Sequence, residues 1–402
     1  MTFDGAVELL TPLGADIMGI QNTRALPPFS PQALRFIGDM SDLLRADPRV
    51  RLLPDLYSFG FWCRRTSIEA MGQRYPDKNL RLGRGIVFHV GPANVPVNFA
   101  YSLVAGLLAG NANLVRVPTA DFPQIRIIAQ TLDTLLKKSE HHELRDHIRL
   151  VRYDRNAQEV TARFSKACDI RVIWGGDDTI DNIRSNKLHP RAFDITFADR
   201  YSACLIGAEN YLQQDSYDLL AQAFYNDTYL FDQNACTAPH LVLWLGEDEV
   251  VKKARQVFWE KLHVHVEKKY PLEAQSAVAK LTSALRYAAL HEGAAIEPTP
   301  DNLITRINIK KLEPGIEDWN ANCGFFFECH LTNIEQFFSV ITRRYQTLSY
   351  TGLDGDLLQR LLIQARSIGI DRIVPIGRTL EFSLEWDGYD LIRSMSRIIT
   401  QI

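Results

Sequence analysis

Short apolar runs rich in β-forming residues alternate with helical segments from residue 85 onward, and this alternation constrains the fold most strongly. The run GIVFHV (85–90) is followed by the loop GPANVP, a buried helix over 97–109 that ends at Gly110-Asn111, and the strand NLVRV (113–117). Further strands are predicted at 148–153, 170–174, 193–197 and 203–206, with helices at 122–137, 157–166 and 179–186. Strands and helices of these lengths in alternation predict an α/β fold with a parallel sheet and right-handed crossovers.

A second region of αβ alternation follows. It contains a predicted helix at 217–225, a strand at 241–245, two amphipathic helices at 249–268 and 272–291, and further elements at 324–328, 334–344, 357–368 and 372–375. Residues 1 to about 80 are predicted to be mainly helical. A chain of 402 residues is too long for one ordinary core. We therefore predict one domain over 1–209, a second over 210–380, and a C-terminal segment over 381–402 that serves oligomerisation or returns to the first domain.

Charge and hydropathy exclude several classes of protein. The formal net charge is -3, so the chain has no general basic field for nucleic acid or an anionic membrane. The most apolar stretch, 95–109, is interrupted by Asn98, Ser102 and Gly106, and no run reaches the ~18 apolar residues of a membrane span. The start, MTFDGAVELLTPLG, lacks the basic and apolar regions of a secretory signal. These features predict a cytoplasmic protein without a membrane span.

The cysteines predict reduced thiols, and one of them is a candidate nucleophile. None of the six shows the paired spacing of a metal site, so no metal is expected. Cys236 lies in FDQNACTAP, between a helix and an apolar strand, where a thiol could reach a cleft. Its polar neighbours indicate a loop that faces a site, although a free Cys often packs as a small hydrophobe. That packing role is predicted for the others, which follow helix or strand patterns: Cys63, Cys168, Cys204, Cys323 and Cys329.

Two strand-end loops are candidates for binding a ligand, because ligands gather at the carboxyl ends of parallel strands. Asn94 lies between Pro92 and Pro96, which would stiffen the loop and preorganise an amide donor for an oxyanion, unless Asn94 merely closes a turn. Trp174-Gly175-Gly176 ends a strand before a helix, where glycines let the backbone approach a pyrophosphate or simply form a turn. No GxGxxG follows a predicted strand, so the usual dinucleotide fingerprint is absent.

Four blocks in a fixed order resemble one known family. The run GRGIVFHVGPANVPVNFAYSLVAGLLAGNANLVRVPT, then VIWGGDDTI, LFDQNACTAP and GIDRIVPIGRT…EWDG resemble the acyl-CoA reductases (LuxC type) of bacterial bioluminescence, within the aldehyde dehydrogenase superfamily. The resemblance runs from about residue 80 to the end. It implies an aldehyde dehydrogenase-like fold of two Rossmann-like parallel-sheet domains. The active site would lie between a nicotinamide cofactor domain and a catalytic domain.

The resemblance also implies roles for individual residues. Cys236 matches the nucleophile, and Asn94 matches the oxyanion-holding Asn of the superfamily's proline-flanked loop. Arg116 falls near the ribose-contacting Lys, and Gly175-Gly176 near the nucleotide-binding turn. The cofactor set it implies comprises Arg116, Pro118, Thr119, Trp174, Gly175 and Gly176.

Two departures from the oxidising relatives bear on chemistry. Thr196 and Phe197 stand where those enzymes carry the Glu that activates water, and a thioester reductase should lack this base because hydrolysis would waste its acyl-enzyme. Thr119 stands where NAD-preferring relatives place an acid that would repel a 2′-phosphate, which favours NADPH over NADH.

The expected function is therefore NADPH-dependent reduction of an acyl thioester, carried by CoA or a carrier protein, to the aldehyde through an acyl-Cys intermediate. An acyl-activating synthetase or acyltransferase is a candidate partner, and a homo-oligomer is expected. Three alternatives remain open on the residues alone. They are an acyl-phosphate reductase like γ-glutamyl phosphate reductase, a catalytically silent partner of an acyl-activating enzyme, and a Cys-dependent acyltransferase with no nucleotide.

Overall fold

Two parallel sheets, each in its own unit of the chain, organise the fold. The computed structural model describes residues 6–401. The first five residues of the segment examined for a secretory signal, and the last residue of the predicted C-terminal segment, lie outside the described residues. The first unit comprises the chain up to Ala198 together with Ser383 onward, and the second comprises Asp199–Phe382.

The first unit is built on a six-stranded sheet in the order β1-β5-β4-β3-β6-β7. Strands β3 to β7 run parallel, and β1 is added antiparallel to β5 at one edge. The strands of this sheet are β1 (Glu8–Thr11), β3 (Ile86–Val90), β4 (Ala112–Arg116), β5 (Ile148–Arg152), β6 (Ile170–Trp174) and β7 (Phe193–Phe197). Strand β2 (Arg81–Gly83) lies outside it. The helices are α1 (Pro31–Ala46), α2 (Pro54–Trp62), α3 (Arg65–Gln73), α4 (Asn98–Leu108), α5 (Pro123–Leu136), α6 (Gln158–Ala167) and α7 (Asp177–Arg184).

The second unit is built on a seven-stranded sheet in the order β10-β11-β12-β9-β8-β13-β14. All neighbours are parallel except β10 and β11. Its strands are β8 (Tyr201–Gly207), β9 (Pro239–Leu245), β10 (Ala295–Ile296), β11 (Thr305–Ile309), β12 (Phe325–Leu331), β13 (Tyr345–Thr351) and β14 (Arg372–Pro375). Its helices are α8 (Ala208–Tyr211), α9 (Tyr217–Thr228), α10 (Asp248–Lys269), α11 (Ala274–Leu290), α12 (Glu335–Phe338) and α13 (Gly355–Gln364).

The C-terminal segment belongs to the first unit and consists of β15 (Glu385–Trp386), β16 (Tyr389–Asp390), α14 (Leu391–Met395) and β17 (Ser396–Ile398). Strand β17 pairs antiparallel with β2. Arg84 Nε donates to the Ser394 carbonyl at 3.0 Å, and Asn111 Nδ2 donates to the Met395 carbonyl at 2.9 Å. The end of the chain therefore returns to the start of the first parallel sheet.

Alternation along the central strands separates the two faces of the second sheet. Leu241 and Leu243 of β9 point to one hydrophobic core, which α11 and α13 cover. Val242 and Trp244 point to the other core, which α9 and α10 cover. This two-sided burial explains why these strands read as continuous apolar runs rather than as alternating ones.

The structure confirms the predicted strands β3, β6, β7 and β14 to within a residue, and the helix stop after α4, where Gly110 adopts a φ of +87°. The predicted boundary at 209/210 differs from the observed division after Ala198, because β8 lies in the middle of the second sheet rather than at the end of the first. Strand β13 (YQTLSYT) was missed, since it mixes polar and apolar residues, and only α12 forms within the predicted element at 334–344.

Strand β1 was also missed, because four residues carry too little pattern to distinguish them from the mainly helical region around them. Among the described residues, no helix is both long enough and apolar enough to span a bilayer.

Candidate active site

Cys236 lies in the loop that joins α9 to β9 in the second unit, and its side chain is partly exposed. The loop leaves α9 through Asp232 and Gln233, whose φ angles of +52° and +61° lie in the left-handed region. Ser202 Oγ of β8 donates to the Cys236 carbonyl at 2.7 Å. The backbone that carries the sulfur is therefore hydrogen-bonded directly to an interior strand of the sheet.

Gln233 holds this loop in place from below. Its side chain is buried, and Nε2 donates to the carbonyls of Pro239 and Phe325 at 2.8 and 3.0 Å. Its Oε1 accepts from the backbone N–H groups of Gly324 and Phe325 at 2.9 and 3.0 Å. The polar neighbours of Cys236 predict a loop that faces a site, and among them the amide of Gln233 points inward and satisfies buried backbone groups.

Accessibility separates two of the six cysteines from the rest. Cys63, Cys168, Cys204 and Cys329 are buried, as predicted, and burial raises the thiol pKa of each, to about 12 for Cys168 and Cys204 and about 11 for Cys329. These four are held as inert thiols.

Cys323 departs from the prediction that it packs within a helix or strand. It is partly exposed, adopts a φ of +52°, and lies in the turn before β12, with its N–H donating to the Asp232 carbonyl at 3.0 Å. Asn322 Nδ2 donates to Asn234 Oδ1 at 2.7 Å, so this turn packs against the Cys236 loop. Cys323 is therefore the accessible thiol from which Cys236 has to be distinguished.

Asn94 is exposed in the loop between β3 and α4 of the first unit, with Pro92 and Pro96 on either side, as the sequence predicts. The end of β3 is held to the end of β4, because the Gly91 N–H donates to the Arg116 carbonyl at 3.2 Å. The loop thus opens from the carboxyl edge of the parallel sheet, where ligands of such sheets bind.

A buried polar chain runs below this loop. The ring nitrogens of His89 contact Ser102 Oγ at 2.7 Å and Asn113 Oδ1 at 2.9 Å, and Trp174 Nε1 donates to Ser102 Oγ at 3.1 Å. Burial lowers the pKa of His89 to about 4 and keeps it neutral near neutral pH. Since Asn113 Nδ2 donates to the Asn111 carbonyl, its Oδ1 is the acceptor and His89 Nε2 carries the proton. The chain therefore fixes the Trp174 side chain against α4.

Trp174 stacks on Phe197 with a centroid separation of 3.6 Å and an angle of 15° between the rings. Phe197 also meets Tyr389 edge-on at 5.7 Å. Trp174 and Phe197 are buried and Thr196 is partly exposed, and none of these three side chains is a carboxylate.

Arg116 and Arg152 end the neighbouring strands β4 and β5 in the first unit. The Arg116 guanidinium lies 4.7 Å from the centre of the Tyr153 ring, and its Nε is buried without a hydrogen-bond partner. Arg152 donates to the Pro118 carbonyl at 3.3 Å and pairs with Glu8 at 3.3 Å, while its Nη2 is buried without a partner. These orphaned donors favour an anionic ligand at this edge of the sheet.

Sequence reasoning found Arg116 but not Arg152, although both strands end in the same letters, LVR. Of their predicted companions, Pro118 is buried and Thr119 is exposed. Gly175 and Gly176 lie between β6 and α7, where a Cβ on Gly175 would come within 3.0 Å of Thr179 Cγ2. Asp177 and Asp178 occupy the first turn of α7, where carboxylates complement the helix dipole.

Comparison with known proteins agrees with these features. The model of the acyl-CoA reductase (LuxC) family matches residues 63–398, starting earlier than the resemblance at about residue 80. The long-chain acyl-protein thioester reductase of Vibrio harveyi is 23% identical over 320 residues, which cover 79% of this chain and 63% of that protein. That of Photobacterium phosphoreum is 23% identical over 170 residues, 41% of this chain and 32% of the relative. The chain thus spans less than two thirds of the length of these relatives.

Solved structures share the fold at low identity. An NAD-dependent aldehyde dehydrogenase from Sinorhizobium meliloti aligns with a TM-score of 0.66 and 12% identity, over 96% of this chain and 86% of that one. An NAD-dependent benzaldehyde dehydrogenase from Corynebacterium glutamicum aligns with a TM-score of 0.61 and 14% identity, over 92% and 84%. The fold is that of the aldehyde dehydrogenases, and since the family model covers most of the sequence, the chain belongs to the acyl-CoA reductase (LuxC) family.

Proposed function

We propose that the protein reduces an acyl thioester to an aldehyde with NADPH, by way of an acyl group held on Cys236. The observation that supports this most directly is the environment of Cys236. Its thiol is partly exposed on a loop whose backbone is bound by Ser202 and supported by Gln233, whereas four other cysteines are buried and inert. Membership of the acyl-CoA reductase (LuxC) family supports the same reaction class, as does the likeness to the long-chain acyl-protein thioester reductase of Vibrio harveyi.

In the first step, the Cys236 sulfur attacks the thioester carbonyl. A new carbon–sulfur bond forms, the carbonyl oxygen takes the negative charge, and the bond to the carrier sulfur then breaks and releases the carrier thiolate. Asn94 and the Cys236 backbone N–H are the donors that we assign to the oxyanion. No carboxylate stands at Thr196 or Phe197 to activate water, which favours survival of the acyl-enzyme.

The first unit is the one that we assign to the cofactor. The orphaned N–H groups of Arg116 and Arg152 suit a nucleotide phosphate, and the absence of an acid at Thr119 suits the 2′-phosphate of NADPH. Pro118, Trp174, Gly175 and Gly176 complete the set that would contact the nucleotide. When bound, the reduced nicotinamide supplies the hydride equivalent that converts the acyl group to the aldehyde.

Acylation without cofactor tests this proposal. The wild-type protein, Cys236→Ala and Cys323→Ala would each be mixed with a panel of acyl-CoAs, and the modified residue located by peptide mass spectrometry. We expect an acyl adduct on Cys236 in the wild type and in Cys323→Ala, and none in Cys236→Ala. An adduct on Cys323, or one that persists in Cys236→Ala, would reject Cys236 as the nucleophile. Asn94→Ala should slow acylation by about 10²–10³-fold.

Addition of reduced cofactor extends the experiment to the second step. NADPH should be consumed faster than NADH, and Arg116→Ala should narrow this preference. An equal loss with both cofactors would contradict a role for Arg116 at the 2′-phosphate. Acetyl phosphate, offered in place of acyl-CoA, separates the acyl-phosphate reductase alternative, which predicts turnover with that donor alone.

A further inference from the structure

Arg372 opens strand β14 of the second unit, and contacts across the sheet connect it to Cys236. Arg372 stands opposite Thr347 in the parallel pairing of β13 and β14. The Thr347 N–H donates to Ser202 Oγ at 3.2 Å, and the same Oγ donates to the Cys236 carbonyl at 2.7 Å. Contacts across β14, β13 and β8 therefore connect the backbone of Arg372 to the backbone of Cys236.

The guanidinium is held by carbonyl groups from the segment that follows β14. Nη1 donates to the Thr379 carbonyl and Nη2 to the Glu381 carbonyl, both at 2.9 Å. Helix α9 fixes this segment, because Asp227 accepts from the N–H groups of Gly377 at 2.6 Å and Thr379 at 3.1 Å. These two carbonyl acceptors orient the guanidinium of Arg372.

Helix α9 also fixes the loop of the nucleophile. The Gln233 N–H donates to the Thr228 carbonyl, one residue beyond Asp227, at 2.7 Å. The last turn of a single helix thus sets the positions of both the Cys236 loop and the segment that orients Arg372. This common support ties the backbone of the Cys236 loop to the segment that holds the Arg372 guanidinium.

The charges are arranged so that the cation and the sulfur stabilise each other. Burial lowers the pKa of Arg372, and the negative charge of Cys236 is the strongest influence that raises it again, ahead of Glu381 and Asp227. An interaction of this kind is reciprocal, since a cation beside a thiol favours the thiolate. We propose that Arg372 is a positioning residue that holds the Cys236 sulfur as a thiolate ready to attack a thioester.

Four other titratable groups near the loop or near Arg372 do not supply this charge. His240, on β9, is buried, and burial lowers its pKa to about 4, so it is neutral near neutral pH. Asp232 is an acid, and its Oδ1 accepts a hydrogen bond from the Tyr270 hydroxyl at 2.6 Å. Asp227 and Glu381 are acids that face Arg372 rather than cations that could replace it.

Thiol alkylation across a pH range tests the role of Arg372, which rests on the proposed function but is measured independently of it. The rate of iodoacetamide modification at Cys236 would be followed by peptide mass spectrometry in the wild type, Arg372→Gln and Arg372→Lys. We expect Arg372→Gln to shift the alkylation profile of Cys236 upward by about 1–3 pH units, with at least a ~10-fold slower reaction near pH 7. Arg372→Lys keeps the charge and should recover most of the rate.

Arg378→Gln is the matched control, because Arg378 lies on the same segment but is exposed and pairs with Glu381. It should show the wild-type profile. A folded Arg372→Gln protein with an unshifted profile would overturn the proposal, as would an equal shift in Arg378→Gln. If neither Arg372 variant folds, thiolate absorbance of the wild type against Cys236→Ser decides the question. A Cys236 titration at or above the ordinary value of about 8.5 would then reject the assignment.

The two proposals fail in different ways. If Cys236 does not accept an acyl group but its alkylation profile still depends on Arg372, the proposed function is wrong and the charge assignment stands. If Cys236 is acylated but the profile ignores Arg372, only the positioning role is lost.

Discussion

Gln233 makes four hydrogen bonds from one buried side chain, and these bonds set the shape of the loop that carries Cys236. Its positive φ of +61° turns the chain so that the side chain enters the protein and the following residues emerge. The amide nitrogen donates to the first residues of β9 and β12, and the amide oxygen accepts from Gly324 and from the first residue of β12. A substitution would therefore leave buried donors and acceptors without partners.

We expect Gln233→Glu to destabilise the protein by about 2–5 kcal/mol and to slow acylation, because a second carboxylate oxygen would face two carbonyl groups in place of the amide N–H. Urea unfolding and the rate of acyl transfer to the loop thiol would measure the two effects. Asn234→Ala, one residue along and exposed, is the control and should cost far less. Equal decreases in the free energy of unfolding of the two variants would show that the buried hydrogen bonds of Gln233 do not stabilise the loop.

At the scale of elements, the end of α9 is the part on which the candidate site depends most. Asp227 is almost fully buried on this helix, and burial raises its pKa to about 6 in spite of the N–H groups that it accepts. Because the folded protein holds this proton more tightly than the unfolded chain does, stability from this group is greatest at low pH and decreases as the pH rises. The window runs from the ordinary value of 3.8 to about 6.

The free energy of unfolding of the wild type, relative to Asp227→Asn, should therefore fall by about 2 kcal/mol between about pH 4 and pH 7. Urea unfolding at both pH values would measure this difference. Asp218→Asn, an exposed position on the same helix, should keep the wild-type behaviour. The opposite sign, with the wild type gaining stability as the pH rises, would mean that the N–H groups of Gly377 and Thr379 outweigh burial.

At the scale of the whole molecule, the chain leaves the first unit, forms the second, and returns. The returning segment contributes Leu391, Ile392 and Met395 to buried packing and adds β17 beside β2. Its carbonyls also accept from Arg84 and Asn111, which flank β3 and β4. The first unit is therefore complete only when the last twenty residues have been made.

In a chain that stops after Phe382, the free energy of opening of the first unit should fall by roughly 5 kcal/mol. The reason is the loss of Leu391, Ile392 and Met395, since burial of each such side chain contributes about 1.5–3 kcal/mol. Hydrogen exchange would show faster opening of β2 and α4, while the strands of the second unit keep their protection. A chain that stops after Thr400 retains α14 and β17 and serves as the control. Uniform loss of protection in both units would contradict the division of the chain.

The amino-acid sequence by itself determined the class of fold and most of the elements of the two parallel sheets. Runs such as IRVIW (170–174) and RIVP (372–375) are read correctly because a strand buried on both faces needs β-forming residues throughout. The sequence also identifies the candidate residues Cys236, Asn94 and Arg116, because a loop thiol, a proline-flanked amide and a strand-end cation are local features of the chain. Strand β13 was missed because its neighbours, rather than its own pattern, make it a strand.

Only the tertiary structure decided which polar residues support the candidate site and which are exposed on it. Gln233 and Asn234 are adjacent amides, yet one is buried with four partners and the other is exposed. Ser202 and Arg372 are distant in sequence from Cys236, and neither they nor the nearby Asp227 were predicted to support it. The physical reason is that a hydrogen bond or a charge interaction depends on separation in space, and the sheet order β9-β8-β13-β14 brings together strands that are far apart along the chain.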